Sequence, residues 1–519
     1  MAHRRTPLHI LIPSLVVALC MLLPLVYLFL RAVQADSATV VELVFRARNI
    51  ELLVNTLSLT AGVLVLTTFM ALPLAWIVTR TRIRFRRLIT VLGVVPLAVP
   101  GYVMAYALLG LGGHYGILTR TFGWEVPQIQ GYWGATIALS LYTFPYLFLN
   151  LRAALLSLDG NLEESARSLG YSENQIFTRV ILVQLMPSLM AGWLVIGLYV
   201  LGDFGAVALM RYEAFSYAIF TQYAGAFDRI YAAWLSLMLL AIALLFVMSE
   251  SLVLKRRRLA SVGRGQARQP HPRSLGRLRP LAWAHLTLVF TTSIGLPVLI
   301  LGYWLLMSPP DLRFFLEVPA TFARSAAAAI PAGILAAGFA LPVAYYAVRY
   351  PSRFSTVVER SAYVGYSIPP LTLALALVFF ALHTAPALYQ TLTLLILGWT
   401  LATLALALGP IRSTLMQTRP NLEEAAHSLG HGPITTFTQV VFPRLRRSLF
   451  ASFALVFLFC MKELPITFLL APTGYTTLAV TVFTRTSEGM MAEAAPFAAA
   501  IVLFSGISVG LVLNREGDR

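Results

Sequence analysis

The sequence is poor in charge and nearly devoid of cysteine and lysine. Its 519 residues hold two cysteines, and Asp, Glu, Lys and Arg together make up only 12%. Cys20 and Cys460 both lie in apolar runs, which excludes a disulfide framework and any cysteine-based metal spacing. The only lysines are Lys255 and Lys462, and neither completes the G-x-x-x-x-G-K-[ST] loop that cradles nucleotide phosphates. Any ATP chemistry must therefore reside on another chain. No nucleophile, base and orienting group stand at a catalytic spacing, and H-E-x-x-H is missing, so an enzyme is not expected. His427 and His431 have the i, i+4 spacing of a metal pair, but Gly430 between them is expected to end the helix, leaving an ordinary exposed pair.

Hydrocarbon is abundant. Apolar residues make up 58% and mean hydropathy is +0.77, outside the range of soluble globular chains. Windows of about 20 residues, long enough to cross about 30 Å of hydrocarbon, begin near Leu8, Leu53, Leu88, Gly131, Leu189, Arg229, Leu281, Arg324, Ser361, Pro386, Leu449 and Ala494. The expectation is an all-α polytopic membrane protein of about twelve spans. The first window exceeds the apolar length of a signal peptide and reads as a retained span. Net charge is +17, which could suggest nucleic acid, yet most of the 39 Lys and Arg fall in short segments on one side if the N-terminus is cytoplasmic. That is the positive-inside pattern, and no nucleic-acid partner is expected.

The chain also carries one polar sentence twice. NLEESARSLGYSENQIFTRVILVQLMPSL begins at Asn161, and NLEEAAHSLGHGPITTFTQVVFPRLRRSL begins at Asn421. ALPLAW at Ala71 answers ALPVAY at Ala340, each followed by a Pro-containing span marked by Pro96 and Pro100 or by Pro369 and Pro370. Two parallel six-span repeats follow: residues 1–254 with a docking loop at 160–189, and 281–519 with a docking loop at 420–449. The basic segment 255–280 is expected to link them. In each insert Asn161 or Asn421 reads as an N-cap, with Glu164 or Glu424 completing a capping box. Leu162, Ala166 and Leu169 recur on one face, as do Leu422, Ala426 and Leu429, and Gly170 and Gly430 stand where a helix stops. Each unit suits a groove in another protein; an interfacial helix, a helix packed on its own spans and a loop merely duplicated with its half fit the periodicity as well.

Glu424-Ala425-Ala426, Gly430 and Val440-Val441-Phe442-Pro443 follow the pattern Glu-Ala-Ala, three residues, Gly, nine residues, Ile-x-Leu-Pro. The first copy has Glu164-Ser165-Ala166 and Gly170 but lacks the proline, with Val183 in its place. In both copies the chain resembles permease subunits of bacterial ABC importers. The resemblance implies coupling helices seated in a cleft of an ATPase subunit, with the role carried by Glu163, Glu164, Ala166 and Gly170 and by Glu423, Glu424, Ala425, Ala426, Gly430 and Pro443. It also implies two ATPase copies inside, which hold the ATP and magnesium, a solute-binding protein outside, and an inner-membrane chain with both termini cytoplasmic. No cofactor is expected on this chain.

The 260-residue offset superposes Asp203 on Glu463, both in apolar spans. Such carboxylates are costly in lipid and usually face a cavity or a partner. Asp203, Lys462 and Glu463 are therefore candidates either for lining the translocation path or for a structural ion pair. DFGAVALMRYEAFSYAIF and MKELPITFLL around these acids resemble the ferric-iron branch of the permease family. Ferric iron, a hard cation, would suit carboxylates and phenols such as Tyr199 and Tyr212, although interfacial aromatics account for the tyrosines as well. Ferric iron is the expected substrate; thiamine or a phosphonate, and a twelve-span transporter driven by an ion gradient, are the alternatives.

Overall fold

The computed structural model describes residues 7–34, 37–114, 116–226, 228–256, 274–308 and 311–517. Most of the expected linker 255–280 lies outside the described residues. Within them the regular structure is helical, without strands. Nine helices are long and apolar enough to cross a membrane among the described residues, and two bent pairs bring the count to eleven.

The first half holds α1 (Leu8–Val33), α2 (Ala47–Arg80), α3 (Arg86–Leu92), α4 (Gly101–Leu111), α5 (Gly131–Ser157), α6 (Gly160–Ser168), α7 (Leu182–Gly202), α8 (Gly205–Leu209) and α9 (Arg229–Arg256). The second holds α10 (Arg279–Phe290), α11 (Leu296–Leu306), α12 (Leu312–Arg349), α13 (Arg353–Ser367), α14 (Pro370–Thr384), α15 (Leu392–Gln417), α16 (Asn421–Ser428), α17 (Phe442–Cys460), α18 (Pro465–Leu470) and α19 (Met491–Gly517). The proline-marked spans are the bent ones: the chain turns by 91° before α4 at Pro100 and by 102° before α14 at Pro369. A proline cannot donate the hydrogen bond that would carry a helix through that point. The expected window near Leu449 falls in α17. Arg444, Arg446 and Arg447 in its first turns lower its hydropathy, so it does not qualify by composition although it matches α7 in register.

Packing divides the chain differently from its duplication. One compact unit comprises Met1–Arg46, Ile219–Leu240 and Pro310–Thr481; the other comprises Ala47–Ala218, Ala241–Pro309 and Val482–Arg519. In the second of these, α2 packs along α5 and α7, while α11 lies against α4 and α19. A Cβ at Gly110 would come within 2.7 Å of Trp304 Nε1, so glycine there lets α4 approach α11. In the first, α12 packs along α15 and α17, and α1 lies against α12, α13 and α14. Buried Ala328, Ala329, Ala332, Ala336 and Ala340 give α12 a small-residue stripe, the usual means of close approach where water does not drive helices together. Each unit thus repeats one three-helix plan and takes its leading span from the other half of the sequence. The packing units therefore do not coincide with the halves expected at 1–254 and 281–519.

Candidate functional site

The twin inserts fold alike. Each short helix, α6 or α16, ends in a residue of positive φ, +84° at both Gly170 and Gly430. Tyr171 N donates to Ala166 O at 3.1 Å and Gly170 N to Arg167 O at 3.0 Å; His431 and Gly430 repeat the pair on Ala426 and His427 at 3.1 and 3.0 Å. This is the glycine-terminated end expected from the sequence. The start differs. Helix α6 begins two residues early, with Asp159 as the cap: its Oδ1 accepts from Asn161 N at 3.1 Å. Pro420 precedes α16 and supplies no side-chain cap. The Asn161–Glu164 and Asn421–Glu424 capping boxes do not form, since both asparagines lie inside the first turn. A capping box does form downstream, between Ser172 and Gln175, and Pro433 opens the matching helix of the second copy.

The face expected on Leu162, Ala166 and Leu169, and on Leu422, Ala426 and Leu429, is divided in the structure. Leu169 and Leu429 are 78% and 79% exposed, whereas Glu163 and Glu423 are buried with Ala166 and Ala426. The reason is a pair of arginines that sequence reading passed over. Arg80, the last residue of α2, lies 2.9 Å from Glu163, and Arg349, the last residue of α12, lies 2.7 Å from Glu423. Both arginines follow the repeated ALPLAW and ALPVAY stretches at the same distance, which is the signal that could have revealed them. Glu164, Glu424 and Ala425 are exposed, on the side away from these pairs.

The two pairs are built unequally. Arg349 donates from Nε to Glu423 at 2.7 Å and from Nη1 and Nη2 to the carbonyls of Leu415 and Thr418, both at 3.2 Å. Tyr345 Oη donates to the other carboxylate oxygen of Glu423 at 2.5 Å. In the first copy Trp76 occupies the register of Tyr345 and brings no hydroxyl. Its ring lies 5.9 Å from the guanidinium of Arg80, whose Nη1 meets Glu163 at 2.9 Å. Burial raises the Glu163 carboxyl above its ordinary range, and Arg80 opposes that shift. The ion pair holds α6, but with fewer directed bonds than hold α16.

A π-turn links each short helical piece to its span, at 177–181 and 437–441. Trp76 meets Phe177 edge-on, and Tyr345 meets Phe437 likewise, at centroid distances of 5.4 and 6.4 Å. The turn is present in both copies, so Pro443, which stands just inside α17, is not its cause. Val183 supports the same geometry in α7.

Asp203 and Glu463 sit at breaks where each span stops and restarts. Asp203 Oδ1 accepts from Ala206 N at 2.9 Å and Val207 N at 3.3 Å, capping α8. Tyr199 joins it, and Gly101 leaves room, since a Cβ there would lie 3.3 Å from Asp203 Oδ2. Glu463 accepts from Ile466 N at 2.7 Å, Thr467 N at 3.0 Å, Thr467 Oγ1 at 2.8 Å and Trp399 Nε1 at 3.0 Å, capping α18. Each carboxylate therefore satisfies backbone groups freed where a helix breaks at membrane depth, as lipid demands. Lys462 is half-buried on the same break as Glu463. Among the described residues no group of three His, Cys, Asp or Glu could hold a metal, and the His427 ring instead meets the His431 carbonyl at 3.1 Å.

A family model described as "binding-protein-dependent transport system inner membrane component" matches twice, over residues 71–259 and 329–515. The chain belongs to that family. Both matches leave out α1 and α10–α11, the leading spans that the packing exchanges between halves. The "Fe(3+)-transport system permease protein FbpB 2" of Haemophilus influenzae is 34% identical over 98% of both chains. The "Sulfate transport system permease protein CysT" of Salmonella typhimurium is 29% identical over 45% of this chain and 87% of its own. The "Molybdenum transport system permease protein ModB" of Haemophilus influenzae is 31% identical over 30% of this chain and 69% of its own. This inner membrane component is thus a fused, two-repeat ABC permease, and the gradient-driven alternative falls away.

Proposed function

We propose that the chain is the translocating subunit of an ATP-driven ferric-iron importer, with both termini cytoplasmic, two ATPase copies on the side of α6 and α16, and a solute-binding protein on the opposite side. The observation that carries the coupling role is the orientation of the docking helices. A helix that buries its carboxylate on its own span and turns Leu169 or Leu429 outward offers an apolar face to a partner while being fastened to the element it must move. ATP-driven closure of the ATPases would pull α6 and α16 and, through Arg80 and Arg349, the cytoplasmic ends of α2 and α12. Asp203 and Glu463, capping the breaks, would hold the path-facing backbone in register during that motion.

Similarity along nearly the whole chain to a permease named for Fe(3+) supports iron as substrate. Deletion in the host, followed by uptake of radiolabelled ferric iron, sulfate and molybdate, tests it. Loss of iron uptake alone is the expected result, and loss of either oxyanion with iron uptake intact would overturn it. Affinity purification from host membranes should recover an ATPase subunit at two per chain.

A further inference from the structure

A groove of about 140 Å³ runs between α3 and α10, lined by Phe85, Leu88, Leu92, Trp283, Leu286 and Phe290, among others, and almost wholly apolar. An apolar void of that size holds about one benzene ring, hence a stretch of hydrocarbon chain rather than a whole ligand. Its mouth is basic. Arg84, Arg86 and Arg87 stand on the α3 side and Arg277 and Arg279 on the α10 side, with no acidic residue in 80–92 or 274–290. All but Arg86, which is half-buried, are exposed.

The backbone is strained beside the groove. Phe85 has φ +63° and ψ +30°, a left-handed conformation that a bulky residue adopts only when its surroundings impose it. Its ring forms part of the groove, with the Arg84 guanidinium 4.8 Å from the ring centroid. An apolar groove flanked in the chain by several arginines, on the same end of α2 as the Arg80–Glu163 pair, suits one kind of molecule. We propose that the groove is a binding site for an anionic diacyl phospholipid, one acyl chain against Leu88, Leu286 and Phe290 and the phosphate among Arg84, Arg86, Arg87, Arg277 and Arg279. Clustered basic residues beside a span recognise such headgroups, and each contributes about fivefold in affinity, or about 1 kcal/mol. Placement in the inner leaflet rests on the orientation proposed above; the lipid selectivity does not.

Native mass spectrometry of the full chain in mild detergent, titrated with phosphatidylglycerol or with phosphatidylcholine of the same acyl chains, tests the site. The wild-type chain should retain phosphatidylglycerol at least about tenfold more tightly. Combined Arg84→Ser, Arg86→Ser and Arg87→Ser should weaken it roughly a hundredfold while leaving phosphatidylcholine unchanged. Thr287→Trp, which fills the groove, should weaken both lipids. Equal binding of the two lipids by the wild-type chain would overturn the proposal without recourse to any variant. So would displacement of phosphatidylglycerol by an equal concentration of glycerol 1-phosphate, which would mean that phosphate alone is recognised. Neither result depends on transport or on an ATPase, so the iron-import reading stands or falls separately.

Discussion

Replacing Tyr345 by phenylalanine should loosen α16 and leave α6 unchanged. The hydroxyl donates at 2.5 Å to a Glu423 carboxylate that is already paired with Arg349, and the carboxylate and guanidinium side chains are only 12% and 8% exposed. A hydrogen bond to a charged group in such a setting is worth about 1.5–3 kcal/mol. If α16 opens from α12 as a unit, its opening equilibrium should rise roughly 10- to 150-fold. Hydrogen–deuterium exchange of the purified chain reads this directly as lost protection in residues 421–428. Residues 160–168 serve as the internal control, because Trp76 stands where Tyr345 does and has no hydroxyl to lose. Trp76→Phe keeps an aromatic ring for Phe177 and the Arg80 guanidinium and removes no hydroxyl, so it should change protection of α6 less than Tyr345→Phe changes that of α16. Equal losses in both helices after Tyr345→Phe, or none in α16, would refute the argument that the second docking helix is the more firmly held.

Three further outcomes follow from the same geometry. Gly170→Ala and Gly430→Ala should each cost about 1–2 kcal/mol of local stability, because both glycines have φ +84° and open space around them, so only backbone strain is at stake; exchange measurements on the two helices check this. Leu169→Asp and Leu429→Asp should leave thermal stability within about 0.5 kcal/mol, both side chains being exposed, while abolishing recovery of the ATPase on affinity purification. Protection of α6, corrected for intrinsic exchange, should rise as pH falls. Burial raises the folded pKa of Glu163, so its contribution to stability is fully present below the unfolded value of about 4.3 and is lost as pH rises through the folded value; Glu163→Gln should flatten the profile.

Much of this was legible in the sequence because two kinds of signal are strong. Hydropathy located the spans, and the proline pairs marked the two that bend. Duplication located α6 and α16 and aligned Asp203 with Glu463. Gly170 and Gly430 were readable because a left-handed stop needs glycine whatever surrounds it. Local pattern failed where a distant partner decided the outcome. The leucines of α6 and α16 recur at helical spacing, but Arg80 and Arg349 draw Glu163 and Glu423 inward and turn the leucines out. Periodicity alone cannot say which face of so short a helix is buried. The capping boxes were misplaced because Asp159 and Pro420 start the helices earlier than the asparagines do. The role of Asp203 and Glu463 as caps was hidden for a related reason: nothing in an apolar run announces that the helix will break within it. The exchange of leading spans leaves no mark on the sequence, since α1 and α11 are equally apolar wherever they pack.

The central claim is that each repeat presents a docking helix to an ATPase. Cysteines placed at positions 169 and 429, in a chain with Cys20 and Cys460 replaced by alanine, test it by bifunctional cross-linking in host membranes. Adducts of each single-cysteine chain with the same ATPase subunit are the expected result, with uncross-linked chain persisting when the ATPase gene is deleted. Adduct formation from only one position, or from neither while the ATPase co-purifies through another surface, would contradict the account.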